Sequence, residues 1–295
     1  MTPAIHIGPE PAEHLVEAVE AGGGRPVPLD EAEGVIWHGG PDELPELPAS
    51  VRWVQLPIAG VESWMERVAA TPDVEYTSAG GAYAKPVAEH ALGLLLAGVR
   101  GMVYYARTKS WDPTPSERVL EGSTIAIIGA GGIGRELIAM LAPHDVEIVA
   151  VTRSGRDGTL PVEKLPEVWS SADHFVIAAP ATDGTRHLVG ADELAQMKPH
   201  SWIVNIARGS LIDTDALVKA LAEERIGGAA LDVTDPEPLP DGHPLWDSPR
   251  ALITPHVANP PSTMDGDLAE RVRENVRRFA AGEELLAPVK PDRGY

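Results

Sequence analysis

The sequence predicts an α/β protein built from parallel sheets in two domains, and three observations carry that prediction. Short apolar runs alternate with longer amphipathic stretches along most of the chain. Three of the runs, 201–209, 229–238 and 252–256, each lead to one polar residue: Arg208, Glu237 and His256 in turn. Between an apolar run and a helical pattern stands Gly129-Ala-Gly131-Gly-Ile-Gly134. Apolar runs of this length read as buried parallel strands, and in an open α/β sheet ligands bind beyond the carboxyl ends of the strands. A guanidinium, a carboxylate and an imidazole are therefore expected to converge on one crevice, as in an enzyme that reduces or oxidises a small anion.

In chain order, residues 4–8, 35–38, 51–56 and 74–77 read as strands of a first domain, with helices at 11–21 and 61–70 between them. A long helix is expected over 85–108, because Ala88, Ala91, Leu92, Leu95, Leu96 and Val99 recur at helical spacing. Trp111-Asp-Pro-Thr-Pro115 reads as a linker, since two prolines so close break either regular structure. A second domain opens with a strand at 124–128, passes through the glycine loop into a helix at 135–141 and returns as a strand at 146–151. Further strands are expected at 174–178, 202–206, 228–233 and 251–253. A charged amphipathic helix over 263–281 follows Pro260 and Pro261. The proline-rich stretch 235–244 reads as a loop at the site.

Composition narrows the function classes. A chain of 295 residues has room for two cores. At 43% hydrophobic and 23% charged residues it is globular. A formal net charge of -20 argues against nucleic acid or an anionic membrane surface as partner, and an anionic substrate then needs a local cation. The absence of cysteine removes disulfides, thiolate metal sites and a cysteine nucleophile, and suits a reducing cytoplasm; no metal site is expected. The most apolar stretch, 91–99, is too short to span a bilayer, and no signal peptide is read at the N-terminus.

The glycine loop has the context of a dinucleotide site. Gly129 allows the tight turn, Gly131 the approach of a pyrophosphate and Gly134 close helix–strand packing, while the helix N-terminus supplies N–H donors. An unliganded turn and a methyl-transfer fold are the alternatives. After the next strand, where a carboxylate would accept from a ribose 2′-hydroxyl, stand Thr152, Arg153, Ser154 and Arg156, which suits a 2′-phosphate and hence NADP over NAD.

Together the glycine loop, 172–180, 197–209, 231–238 and Thr254-Pro-His256 resemble the successive signatures of the D-isomer-specific 2-hydroxyacid dehydrogenases. The match runs from residue 122 to 260 and is looser before it. The resemblance implies two Rossmann-like or flavodoxin-like domains, with a nucleotide domain (99–264) inserted into a split substrate domain (1–98 and 265–295), and a homodimer. It implies cofactor contacts from Gly129, Gly131, Gly132, Ile133, Gly134, Thr152, Arg153, Ser154, Ala179, Pro180, Ile206 and Ala207, and from Asp232 to the nicotinamide carboxamide. It gives Arg208 the substrate carboxylate and carbonyl, Glu237 the partnering of the histidine and His256 the proton. Backbone of Ala59 and Gly60, and Gly81, would meet the substrate. Here Ser78-Ala79-Gly80-Gly81 departs from the usual Asn-Thr-Pro-Gly, which leaves loop shape, substrate identity and the roles of Tyr83 and Lys85 open. Trp246 reads as a packed anchor.

The chemistry supports these roles independently. Arginine binds a carboxylate through a planar fork. Hydride arriving at a keto carbon leaves an alkoxide that needs a proton, which histidine can give near neutrality while a carboxylate stabilises the imidazolium. Of the 10 histidines, His90, His174 and His243 read as helix, strand and loop residues. The expected activity is reduction of a small 2-oxo acid, glyoxylate or hydroxypyruvate first, by NADPH or NADH. Phosphoglycerate oxidation and a non-catalytic NAD(P)-sensing protein are the alternatives.

Overall fold

Ala4–Gly8 (β1) is hydrogen-bonded in parallel to Arg25–Pro26 (β2) and Gly34–Trp37 (β3). Trp53–Gln55 (β4) and Glu75–Thr77 (β5) continue this sheet in the order β2-β1-β3-β4-β5. The computed structural model describes residues 2–111 and 118–291; residues 112–115 of the expected linker lie outside the described residues. The chain divides into two compact units, Met1–Tyr83 with Pro260–Tyr295, and Ala84–Asn259.

In the first unit, Glu13–Ala21 (α1) buries Leu15, Ala18 and Val19, three or four residues apart and hence on one face. Met65–Ala70 (α2) follows a single 3₁₀ turn. The expected C-terminal helix is Pro261–Ala281, and it packs along α1. A Cβ on Gly22, just after α1, would fall 2.6 Å from the Arg273 carbonyl oxygen, so only glycine permits this approach. A buried polar network pins the same helix to the sheet. Asn275 Nδ2 donates to Gln55 Oε1 at 2.8 Å, Thr77 Oγ1 donates to the same oxygen at 2.9 Å, and Leu286 N donates to Asn275 Oδ1 at 2.8 Å. All three side chains are fully buried, and each stays there because its polar atoms are paired.

The second unit starts earlier than expected, because the helix Ala84–Val99 (α3) belongs to it. A Cβ on Gly98 would stand 2.3 Å from the Trp202 ring, and one on Gly228 would stand 2.4 Å from its far edge. Two glycines thus clasp this indole and seat the helix on the sheet. Instead of running to 108, the helix stops at Val99, where Gly101 turns left-handed (φ 66) and starts the short Met102–Tyr105 (α4).

Thr124–Ile128 (β6) leads through the glycine loop into Gly132–Leu141 (α5), then Glu147–Thr152 (β7) and Leu160–Pro161 (β8). Leu165–Ser171 (α6), His174–Ile177 (β9), Ala191–Gln196 (α7), Trp202–Asn205 (β10), Thr214–Ala222 (α8), Gly228–Leu231 (β11), Pro244–Asp247 (α9) and Ala251–Ile253 (β12) follow, and Pro261–Ala281 is α10. All pairings are parallel, in the order β12-β11-β10-β9-β6-β7-β8. The order reverses at β6, so the glycine loop leaves the sheet at the switch point where doubly wound sheets open a crevice. Among the described residues no helix is long and apolar enough to cross a membrane.

Candidate functional site

Strand register brings the three catalytic candidates to one edge. Asn205 pairs with Leu231 and Leu231 with Ile253, so β10, β11 and β12 end level. The segments to Arg208, Glu237 and His256 therefore leave the sheet side by side.

After β10, the buried Asn205 shapes the turn. Its Oδ1 accepts from Ala207 N at 3.1 Å and its Nδ2 donates to Arg208 O at 2.8 Å. Arg208 is half-buried, with Nη1 donating to Ala207 O at 2.7 Å. The next residue presses this turn against the segment after β11: a Cβ on Gly209 would lie 1.9 Å from Thr234 O and 2.5 Å from Asp235 N. Those are backbone atoms that cannot yield, so glycine is required there for the Arg208 turn and the Glu237 loop to touch.

Glu237 and His256 meet directly, Oε1 to Nδ1 at 2.6 Å. A carboxylate can only accept, so Nδ1 carries the proton and Nε2 is left as the nitrogen for proton transfer. Both side chains are about half exposed, at 52% for His256 and 42% for Glu237.

His256 adopts a left-handed backbone (φ 52), a cost of about 1–2 kcal/mol for a residue with a Cβ. Asp232 holds it there. Its carbonyl accepts from His256 N at 2.8 Å. Its carboxylate accepts from Val257 N at 3.0 Å, Ala258 N at 3.1 Å and Thr254 Oγ1 at 2.6 Å, with His90 Nε2 at 3.3 Å. Burial alone would push this carboxyl up; the hydrogen bonds from His90, Thr254 and the two N–H groups outweigh it and hold it at about 2. Asp232, which the resemblance placed at the nicotinamide, clamps the 254–258 loop, its side chain only 1% exposed. His90, read from sequence as an ordinary helix residue, joins the clamp by also meeting Thr254 Oγ1 at 3.0 Å. Only its contact across 164 residues reveals this.

In the glycine loop, packing constrains two of the three motif glycines. Gly129 has φ 103 and its Cβ would fall 2.5 Å from the Ala178 and Ala179 backbone. A Cβ on Gly134 would sit 2.4 Å from Gly129 O, whereas around Gly131 nothing lies within 4 Å. Two glycines are demanded by packing, and the third opens a cradle at the start of α5, with Gly132 and Ile133 in its first turn. Thr152 Oγ1 accepts from Gly155 N at 3.1 Å and meets Thr159 Oγ1 at 2.6 Å, which shapes the turn presenting the exposed Arg153 and Ser154. Ala179 and Pro180 follow β9, the neighbour of β6 in the sheet, and Ile206 and Ala207 follow β10, one strand further along.

In the first unit, Ala59 is exposed and Gly60 half-exposed. Gly81 has φ 83. The departing loop is held by Arg271, which donates to Ser78 O at 3.1 Å and Gly80 O at 2.9 Å. Tyr83 is a packing residue: it is 8% exposed and its hydroxyl donates to Pro57 O at 2.6 Å. Burial, with Asp267 and Asp265, pushes that phenol up to about 12 against Arg271. Lys85 lies exposed on α3. Trp246 is 42% exposed and tied to Pro240 O at 3.0 Å.

Comparison with known proteins points one way. The family profile described as D-isomer specific 2-hydroxyacid dehydrogenase, NAD binding domain, matches residues 92–258. A Corynebacterium melassecola protein called "Uncharacterized protein in proB 3'region" is 39% identical over 294 residues, covering 96% of this chain and 97% of its own. A glyoxylate reductase of Thermofilum pendens is 34% identical over 230 residues, 73% of this chain and 68% of its own. The crystal structure of a D-isomer specific 2-hydroxyacid dehydrogenase from Xanthobacter autotrophicus Py2, in complex with NADPH and MES, superposes with a TM-score of 0.84 at 25% identity, covering 100% of both chains.

Proposed function

The chain belongs to the D-isomer specific 2-hydroxyacid dehydrogenases, NAD(P)-dependent oxidoreductases, and from that premise we propose that it reduces a small 2-oxo acid, glyoxylate or hydroxypyruvate, to the D-2-hydroxy acid. The unit 84–259 is the nucleotide-binding domain and the other unit the substrate domain. The observation that carries the reading is the 2.6 Å His256–Glu237 pair on strand ends level with the Arg208 turn.

Bound NAD(P)H supplies the hydride. Gly129, Gly131, Gly132, Ile133 and Gly134 would hold its pyrophosphate, and Ala179, Pro180, Ile206 and Ala207 would contribute further contacts. Thr152, Arg153 and Ser154 take the ribose end, and Arg153 favours NADP because no carboxylate stands there to meet a 2′-hydroxyl. Arg208 holds the substrate carboxylate and polarises its carbonyl, and backbone of Ala59, Gly60 and Gly81 contributes to substrate binding. As the carbonyl carbon gains hydride, the oxygen takes the proton from His256 Nε2. Glu237, on Nδ1, stabilises the imidazolium before transfer and fixes the ring. In the oxidising direction the same nitrogen accepts the proton. The active form in this reading is a homodimer in the cytoplasm.

Loss of absorbance at 340 nm, followed with NADPH and NADH against a panel of 2-oxo acids, tests the reading. Turnover of glyoxylate or hydroxypyruvate, faster with NADPH and with that preference lost in Arg153→Gln, is expected. Cofactor binding without turnover of any 2-oxo acid contradicts it.

A further inference from the structure

The loop Ser78-Ala79-Gly80-Gly81, which departs from the usual Asn-Thr-Pro-Gly, lies wholly in the first unit, as does the helix α10 that holds it. Ala82 N donates to Ala79 O at 2.8 Å, and of the two central residues only Gly81 has a positive φ, 83. Those are the marks of a type II turn. A proline at the first central position fixes φ there; Gly80 gives that constraint up. With glycine at both central positions the peptide between them is free to turn over, because glycine takes either sign of φ at little cost.

Contacts from outside the turn set it instead. Arg271 Nη2 donates to Gly80 O at 2.9 Å and Nη1 to Ser78 O at 3.1 Å. Ser78 Oγ accepts from Gly80 N at 3.1 Å. Ala79 N donates to Ile58 O at 2.8 Å, next to the Pro57 carbonyl that takes the Tyr83 hydroxyl at 2.6 Å. The turn is thus joined to the segment that carries Ala59 and Gly60. The Gly80–Gly81 peptide is trans, so its C=O and N–H point in opposite directions. With the oxygen held by α10, the Gly81 N–H points away from that helix. Gly81 is exposed, and its N–H donates to no described residue.

We propose that Arg271 is a positioning residue for the substrate: by gripping the Gly80 carbonyl it keeps the Gly81 N–H turned outward as a donor to the carboxylate of the 2-oxo acid. The role rests on the 2-oxo acid reading above, and Arg271 itself touches neither substrate nor cofactor. Without the grip the peptide turns over and the N–H is withdrawn from the anion. That contact is made alike to substrate and transition state, so its loss raises KM and spares kcat.

The wild-type chain, labelled with ¹⁵N-glycine and saturated with NADPH, is titrated with oxamate, a 2-oxo acid isostere whose amide carbonyl takes no hydride. The Gly81 amide signal is expected to shift saturably, and acetamide, which lacks the carboxylate, leaves it in place. In Arg271→Gln the KM for the 2-oxo acid that is turned over should rise roughly tenfold or more, the loss of one hydrogen bond to a charged group, with kcat and NADPH affinity unchanged. Arg271→Lys keeps the charge but can hold only one carbonyl, so it should show a smaller rise of the same kind, and it decides the matter where the glutamine variant does not fold. Wild-type turnover of a 2-oxo acid with a Gly81 signal unmoved by oxamate overturns this role alone. So does an unchanged KM in the variants, or a fall in kcat and Tm without a rise in KM, which marks a merely structural arginine. A wild-type chain that reduces no 2-oxo acid overturns the reading above and this role with it.

Discussion

Replacing Asp232 by asparagine separates a clamp from a cofactor contact. Oδ1 receives Thr254 Oγ1 at 2.6 Å and Val257 N at 3.0 Å and faces His90, while Oδ2 receives only Ala258 N, at 3.1 Å. An amide in this place keeps its oxygen on the crowded side and turns its NH₂ toward the Ala258 N–H, donor against donor. One orphaned buried N–H costs about 1–3 kcal/mol, and weakening the charge-assisted bonds removes about 1 kcal/mol more, together about 2–4 kcal/mol. For a unit of this size that corresponds to a melting temperature lower by roughly 4–16 °C. Calorimetry of the cofactor-free protein reads the loss, and steady-state kinetics reads the KM for NADPH alongside it. The clamp predicts a lowered Tm without cofactor and a reduced kcat from a loosened His256. An unchanged Tm with a raised KM for NADPH would refute the reasoning and return the carboxylate to the nicotinamide. Because its folded value is depressed to about 2 from 3.8, the clamp's contribution is complete above pH 3.8 and is lost as pH falls toward 2.

Arg208→Lys keeps the charge but loses the planar fork, so KM for the 2-oxo acid should rise roughly ten- to hundredfold while NADPH affinity, measured by fluorescence titration, stays the same. Two glycine variants should behave oppositely. Gly129→Ala meets backbone at 2.5 Å and should lower the Tm of the cofactor-free protein, whereas Gly131→Ala meets nothing within 4 Å and should leave that Tm unchanged but weaken NADPH binding. Stability should also fall between pH 6.5 and 4, because burial lowers His174 from 6.5 to about 4. The unfolded chain binds this proton first, so the contribution, on the order of 3 kcal/mol, is intact above pH 6.5 and fades below it. Urea unfolding across that window checks the slope, which His174→Gln should flatten.

Both sheets, the parallel pairing and the order of the three polar strand ends were legible because buried parallel strands read as unbroken apolar runs and their terminal polar residues stand out. Gly129 and Gly134 were legible for a similar reason, since backbone crowding leaves no alternative residue. The two-residue strands β2 and β8 were not, since Arg25–Pro26 and Leu160–Pro161 have no apolar run to show. The break at Gly101 was hidden by apolar spacing that continues through Val103. The unit boundary at residue 84 depends on Gly98 fitting Trp202, a contact between residues far apart in the chain. The clamp made by His90 and Asp232 was hidden on the same ground. A histidine in mid-helix and a strand-end aspartate become a clamp only when tertiary packing brings Thr254 and the 257–258 backbone to them.

The most direct test of the account is single-turnover reduction of glyoxylate by NADPH in His256→Gln, with NADPH binding measured in parallel. Loss of the proton donor should slow the hydride-transfer step roughly 10²- to 10⁴-fold with NADPH affinity unchanged. A variant that reduces glyoxylate at the wild-type rate would contradict the assignment of His256.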